Sequence, residues 1–412
     1  MGEPGRFGRI DVGRERASAG RVRRRSVFPT GKNVTGAHRG DRRMTKPVPQ
    51  QTSSRGAVKE VLDRAVSGAG LPGMVVEVQD RGGRWFGAAG VADTATGRER
   101  LPEEQYRIGS TTKTFTATLA LLLAAERRLS LDDTVERWLP GLVKGNGNDA
   151  GAITVRHLLG MTSGLFNYSV DEGLLSRHYG PAFLEHRFDR FSPEQLVEIA
   201  TAHAPDFAPG DGWTYSNTGY ILAGLIIERA SGRTFAHQVE QRIARPLELT
   251  GTYVPGGDEH GLRGPHARLY SKNFLTAPDA EVHDVTELDA SFAWSAGGMV
   301  STAGDLNRFF AELLGGRLLP PAQQEEMFAA RPTPEGKWIP GASYGLGMSS
   351  MTVSSGAKVW GMGGAINGSF CYTYGTRDGE HLVAQSVNGD WNDPIGLFTQ
   401  VLEAEFADER PA

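Results

Sequence analysis

Strand-like segments stand at both ends of this chain and apolar helices fill its middle, so one sheet has to be assembled from sequence-distant halves. Near the start, Met74–Gln79 reads as a strand, Asp80-Arg-Gly-Gly as a turn and Trp85–Val91 as the returning partner. Near the end, Lys358–Gly361, Ser369–Gly375 and Leu382–Val387 read as further strands, with Thr376-Arg-Asp-Gly among their turns. Ser54–Gly68 is an expected amphipathic helix with Val58, Val61, Leu62 and Ala65 on one side, and Pro394–Phe406 a closing helix. Between them, Thr112–Glu126 and Asn217–Ala230 are apolar helices, while Ser192–His203 and Ala303–Leu314 carry Ser192 and Thr302 as N-caps. One sheet built from both chain ends, with a helical region inserted between them, is therefore expected. The sheet part takes about 54–128 and 296–408, the helical part about 129–295, within a single domain over 49–408. A cleft between the two parts is a natural ligand site.

Charge is distributed unevenly. The 412 residues carry a net −4, yet residues 1–50 hold 13 Lys and Arg against 4 Asp and Glu. This basic stretch, interrupted by Gly and Pro, reads as a disordered tail over 1–48, or as sequence ahead of a natural start at Met44. It carries almost no aromatics, against a nucleic-acid arm, and no apolar run follows Arg23-Arg24-Arg25 as a secretory signal requires. No segment reaches the roughly 20 apolar residues of a membrane span. The expectations are a cytoplasmic location with no nucleic-acid or membrane partner. Cys371, the single cysteine, reads as a core strand residue. The ten histidines are dispersed without an H-E-x-x-H or Cys/His cluster, so no metal or other cofactor is expected.

Three short motifs carry the chemistry. Ser110 and Lys113 stand three apart at the mouth of an apolar helix and so share a face. A lysine facing a packed interior is driven neutral, and a neutral amine beside a hydroxyl can make it a nucleophile. Ser110 could equally be a plain cap. Tyr215-Ser216-Asn217 precedes a second apolar helix. A tyrosine near ammonium groups has a lowered pKa and can shuttle protons, and an Asn amide can orient a lysine or a substrate; a cap and a core tyrosine are the simpler alternative. Met362-Gly363-Gly364-Ala365 lies on a C-terminal strand, where glycines admit a close backbone approach or merely mark a bulge.

In this order the motifs resemble the serine β-lactamase and penicillin-binding protein superfamily, closest to its class C β-lactamase-like branch of D-alanyl-D-alanine carboxypeptidases, D-aminopeptidases, esterases and acyltransferases. His157-Leu-Leu-Gly-Met-Thr-Ser-Gly-Leu165, Ala296-Gly-Gly-Met-Val-Ser-Thr302 and Tyr344-Gly-Leu-Gly347 are similar to further stretches of that family, and the likeness runs from about Ser54 to Phe406. The resemblance implies a β-lactamase/transpeptidase-like α+β fold, a mostly antiparallel sheet from both chain ends flanked by helices with an inserted helical subdomain, and it implies Ser110 as nucleophile and Lys113 and Tyr215 as the proton-transfer pair. Asn217, Met362, Gly363 and Gly364 would contact substrate, and the Ser110 and Ala365 N–H groups would form an oxyanion hole. The implied partner is a small-molecule or peptide-like acyl compound.

One departure bears on substrate. The family usually has Lys or His where Met362 stands, and a thioether cannot pair with a carboxylate. A charge-assisted bond is worth roughly 1.5–3 kcal/mol, or roughly 10–150-fold. β-Lactams and D-alanyl termini are therefore poor candidates unless an arginine from elsewhere supplies the charge; an ester, amide or thioester without the carboxylate fits better. Met161 also replaces a common family histidine, at a site that reads as structural. Hydrolysis and acyl transfer or cyclisation share one acyl-enzyme and stay open together. Gly341-Ala-Ser343-Tyr-Gly345 matches the letters of a nucleophile elbow but lacks a following helix. A binding protein on the same fold is the non-enzyme alternative.

Overall fold

The computed structural model describes residues 52–409 apart from Pro181 and residues 274–278; the expectation for residues 1–48 lies outside them. Helix α1 (Thr52–Ser67) buries Val58, Val61, Leu62 and Ala65, an i, i+3, i+4, i+7 stripe. The chain then forms β1 (Gly73–Asp80) and β2 (Gly83–Asp93), with short β3 (Arg98–Glu99) beside them. Helix α2 (Thr112–Ala125) follows the Ser110 turn. The longer helices of the middle are α3 (Pro193–Thr201), α4 (Asn217–Ser231) and α5 (Ala303–Leu314). The C-terminal part supplies β4 (Arg331–Pro332), β5 (Ser343–Tyr344), β6 (Ser349–Thr352), β7 (Lys358–Ile366), β8 (Ser369–Gly375), β9 (Leu382–Val387) and α6 (Pro394–Glu405).

Among the described residues the main sheet has nine strands in the order β3-β2-β1-β9-β8-β7-β6-β5-β4, every pair antiparallel. The two chain ends meet where β1 pairs β9, with Met74 opposite Val387 and Gln79 opposite Leu382. Alternation along β9 decides what each face buries. Val383 and Val387 join α1 and α6 in one core, while Leu382 and Ala384 join α2, α4 and α5 in the other. This second core runs unbroken from the helical middle into the sheet, so helices and sheet share one packed interior.

The α+β class with a sheet built from both ends is what the structure has. Ser192 and Thr302 cap their helices, accepting from Gln195 N and Asp305 N. Two details differ. β7 runs on to Ile366 rather than stopping at Gly361, because its glycines pair with β8 instead of breaking the strand. Strands β4, β5 and β6 extend the sheet although they are two to four residues long and carry no alternating pattern. No helix among the described residues is long and apolar enough to cross a membrane.

Candidate active site

The turn that presents Ser110 is pinned from several sides before α2 begins. Tyr106–Arg107 pairs with Val300–Ser301, Ile108 N donates to Met299 O (3.0 Å), and Ser369 Oγ donates to Arg107 O (2.8 Å). Gly109 takes φ +48°, where a side chain would be strained and its Cβ would meet Ala365 N at 2.5 Å. Cys371 lies beneath, its Sγ 3.4 Å from Ile108 O and 3.6 Å from Thr111 Oγ1. Burial pushes this thiol up to about 12, which suits a packing residue and not a nucleophile.

Ser110 and Lys113 do share a face of the helix start. Lys113 is fully buried, and its Nζ lies 3.1 Å from Ser110 Oγ, 2.6 Å from Asn217 Oδ1 and 2.7 Å from Ala296 O. Burial holds its pKa well below the usual lysine value. A neutral amine has two N–H bonds and one lone pair. The two carbonyl oxygens take the N–H bonds, which leaves the lone pair facing the Ser110 hydroxyl.

Tyr215 completes the group, donating from Oη to Ser110 Oγ at 2.6 Å. Burial pushes its phenol pKa up, and the bond to Ser110 only partly offsets this. The lowered pKa expected from nearby ammonium groups is thus not found, because burial of the phenol dominates. Met161 is a packing residue here: fully buried, with Sδ 3.3 Å from Ser216 N and its carbonyl accepting from Thr214 N, it holds the segment that carries Tyr215.

Asn217 sits at the start of α4, but both ends of its amide are engaged. Oδ1 accepts from Lys113, and Nδ2 donates to Ser169 Oγ (2.9 Å). Met362 is 1% exposed, its thioether 3.9 Å from Ser349 Oγ, and its side chain belongs to the central core at the cavity wall. The glycines have steric reasons. A Cβ on Gly363 would lie 2.0 Å from the Tyr372 ring, and one on Gly364 would lie 1.9 Å from Ile108 O and 2.6 Å from Ser110 N. Ala365 is exposed next to them.

These groups open into a cavity of about 390 Å³. Ser110, Tyr215 and Met362–Ala365 line one side; Trp338, Ile339, Pro340, Phe370, Tyr372 and Ile395 line the rest. Among the described residues no charged side chain lines this cavity, and no arginine among them stands in for the family's Lys or His. The sequence reading missed the Trp338-Ile339-Pro340 stretch, whose signal is an apolar triplet inside a polar loop, and the carbonyl of Ala296, which no side chain announces. Ser343 lies on β5, which leads to another strand and not to a helix, so it forms no nucleophile elbow.

The sequence comparisons agree with this geometry. The Beta-lactamase family profile matches residues 58–401. A D-stereospecific amidohydrolase from Streptomyces sp. superposes with a TM-score of 0.79 at 44% identity, covering 86% of this chain and 98% of that one. The esterase EstB of Burkholderia gladioli is 34% identical over 193 residues, 46% of this chain and 48% of the esterase. Penicillin-binding protein 4* of Bacillus subtilis (strain 168) is 29% identical over 268 residues, 63% of this chain and 55% of that protein. The chain thus spans about half the length of these two curated relatives. Fold, motif order and sequence similarity together make this chain a member of the β-lactamase family, within the serine β-lactamase and penicillin-binding protein superfamily.

Proposed function

We propose that this chain is a serine hydrolase that forms an acyl-enzyme at Ser110 and cleaves an amide or ester whose acyl group is apolar. The observation that carries this reading is the placement of Ser110 Oγ 2.6 Å from Tyr215 Oη and 3.1 Å from the buried Lys113 Nζ, at the edge of an uncharged cavity.

In this reading Lys113 takes the Ser110 proton as Oγ attacks the carbonyl carbon. The oxyanion that forms is held by the N–H groups of Ser110 and Ala365, a reading supported by the close seating of β7 against the Ser110 turn. The proton passes from Lys113 by way of Tyr215 to the departing amine or alkoxide, and the carbon–leaving-group bond breaks. Water then attacks the ester on Ser110, its proton following the reverse route, and the acid is released. With Met362 buried and no charge on the cavity wall, a substrate carboxylate has no partner there, which disfavours penicillins and D-alanyl termini. The 44% relative described as a D-stereospecific amidohydrolase supports an amide with a D-configured acyl group.

The test is intact-protein mass spectrometry after exposure to a fluorophosphonate, a p-nitrophenyl ester and benzylpenicillin, alongside hydrolysis of D- and L-phenylalanine amide. Expected are phosphonate and acyl adducts at Ser110 that Ser110→Ala abolishes, slow or no penicillin adduct, and preference for the D-amide. Absence of every adduct would overturn the enzyme reading, and a rapid penicillin adduct would overturn the substrate reading.

A further inference from the structure

Asn217 contacts Lys113 through an amide whose two ends have nearly the same shape and opposite hydrogen-bonding character. Turned one way, it offers Lys113 an acceptor; turned the other way, an N–H. The lone pair of Lys113 points at Ser110 only if the acceptor end is presented, so something must fix the orientation.

The fixing groups lie on the short turn Tyr168–Val170 and its cap. Asn167 Oδ1 receives two backbone donors, Asn217 N at 3.0 Å and Ser169 N at 3.4 Å, so its own orientation is set by the main chain. The same oxygen accepts the hydroxyl proton of Ser169 (3.0 Å). A serine hydroxyl has a single proton, so Ser169 Oγ has only lone pairs left for its other neighbour, Asn217 Nδ2 at 2.9 Å. Nδ2 is held at Ser169 and Oδ1 is left at Lys113 (2.6 Å). The turn is itself docked on α4: Tyr168 N donates to Thr218 Oγ1 (3.1 Å), and Thr218 Oγ1 donates to Phe166 O (2.6 Å). Ser169 is 8% exposed, which keeps water from substituting freely for any member of the series.

We infer that Ser169 is a positioning residue for the proposed reaction, acting through Asn217 to hold Lys113 in the one orientation that aims its lone pair at Ser110. This rests on the acyl-enzyme reading above. It also recasts Asn217 as part of the base and not of the acyl-group pocket. Removing the Ser169 hydroxyl frees Asn217 to turn its N–H towards Lys113. That withdraws an acceptor from the protonated amine and competes for the lone pair of the neutral one. The other titratable groups facing Lys113 are Tyr215 and Tyr220, whose rings lie 4.9 and 5.4 Å from Nζ.

The experiment is the rate of Ser110 phosphonylation by a fluorophosphonate as a function of pH, in the full chain and in Ser169→Ala, Asn167→Ala and Ser169→Thr. Wild type should label with a rate that falls on the acid side. Ser169→Ala should label about tenfold more slowly at neutral pH, the effect of about one charge-assisted hydrogen bond. Its acid limb should move about one unit towards lower pH, since a protonated lysine without that acceptor releases its proton more readily. Asn167→Ala should move the limb the same way and stands in for Ser169→Ala if that variant fails to fold. Ser169→Thr, which keeps the hydroxyl, should keep the limb in place. A slower variant with an unmoved limb would mean that Ser169 is merely structural and overturn the inference. Wild type that takes no adduct at Ser110 would overturn the acyl-enzyme reading, and the inference with it.

Discussion

Gly364 and Ser110 meet backbone to backbone: a methyl group on Gly364 would lie 2.6 Å from Ser110 N and 1.9 Å from Ile108 O. Neither neighbour can yield, since Ile108 is tied to Met299 and the strand to β8. Gly364→Ala should therefore push β7 away from the nucleophile, lowering stability by about 1–3 kcal/mol and kcat/KM by about 100-fold or more. Calorimetry and ester hydrolysis read the two effects. A fully active Gly364→Ala would show that catalysis does not need this seating.

Lys113 should set the pH dependence. The active form is the neutral amine, so the rate should be full above its depressed pKa and fall as pH drops through it. Because burial lowers that pKa well below the ordinary lysine value, activity should already be present near neutrality. Lys113→Arg, which stays charged, should lose about 10²–10⁴-fold in kcat across the whole range. A rate that climbs only above pH 10 would contradict the neutral-lysine assignment.

Tyr215→Phe removes only the hydroxyl that donates to Ser110 at 2.6 Å. The ring keeps its place beside Trp338, with centroids 6.2 Å apart and planes 20° apart, so the melting temperature should change little. The expected loss is about 10²-fold or more in kcat with KM nearly constant. A rise in KM alone would assign the hydroxyl to binding.

Trp338 also lines the cavity. Trp338→Ala should raise KM about tenfold for esters of bulky aromatic acids, through lost apolar contact, while acetyl esters change little. Equal losses for both would place Trp338 outside the acyl pocket.

A stability prediction concerns the far end of the sheet. His381 lies between Glu405 (Nε2 to Oε1, 3.1 Å) and Glu409 (Nδ1 to Oε1, 2.8 Å), and Asp80 in the same corner is engaged by Arg55 at 2.7 Å. Burial opposes the charged imidazole, but the bonds to the two glutamates outweigh it and the net effect raises the His381 pKa. The folded state therefore holds this proton more tightly than the unfolded chain does. The contribution is complete below the ordinary histidine value of about 6.5 and is lost as pH rises through the raised one. His381→Gln should cost about 2 kcal/mol at pH 5.5 and distinctly less at pH 9, read by urea denaturation. An equal cost at both values would show that His381 is uncharged in the fold.

Much of the site could be read ahead of the structure because its chemistry is local. Ser110 and Lys113 are three residues apart at the mouth of one helix, and Tyr215 and Asn217 stand at the start of another, so periodicity and caps place them. Strands such as Leu382–Val387 were visible for the same reason, each being a short run of buried residues between turns. What escaped depends on contacts that no single segment encodes. Strand β6 exists because Ser349–Thr352 lies against Lys358–Gly361, not because of its own residues. Ala296 enters through a carbonyl, and Trp338 through a loop folded over the cavity. The direction of the Tyr215 shift follows from how deeply the phenol is buried, which spacing alone does not report.

The pairing of β1 with β9 has a further consequence for synthesis. During translation, residues 73–93 leave the ribosome almost three hundred residues before Leu382–Val387, and until then β1 presents an unmatched edge. The nucleophile and its lysine emerge early, while Gly364 and Ala365 arrive among the last residues. In the proposed reading, a nascent or truncated chain thus holds a serine with only its own N–H to stabilise the charge its attack would create. If Ala365 completes the oxyanion site as proposed, the same closing step that removes a sticky edge also completes the site for chemistry.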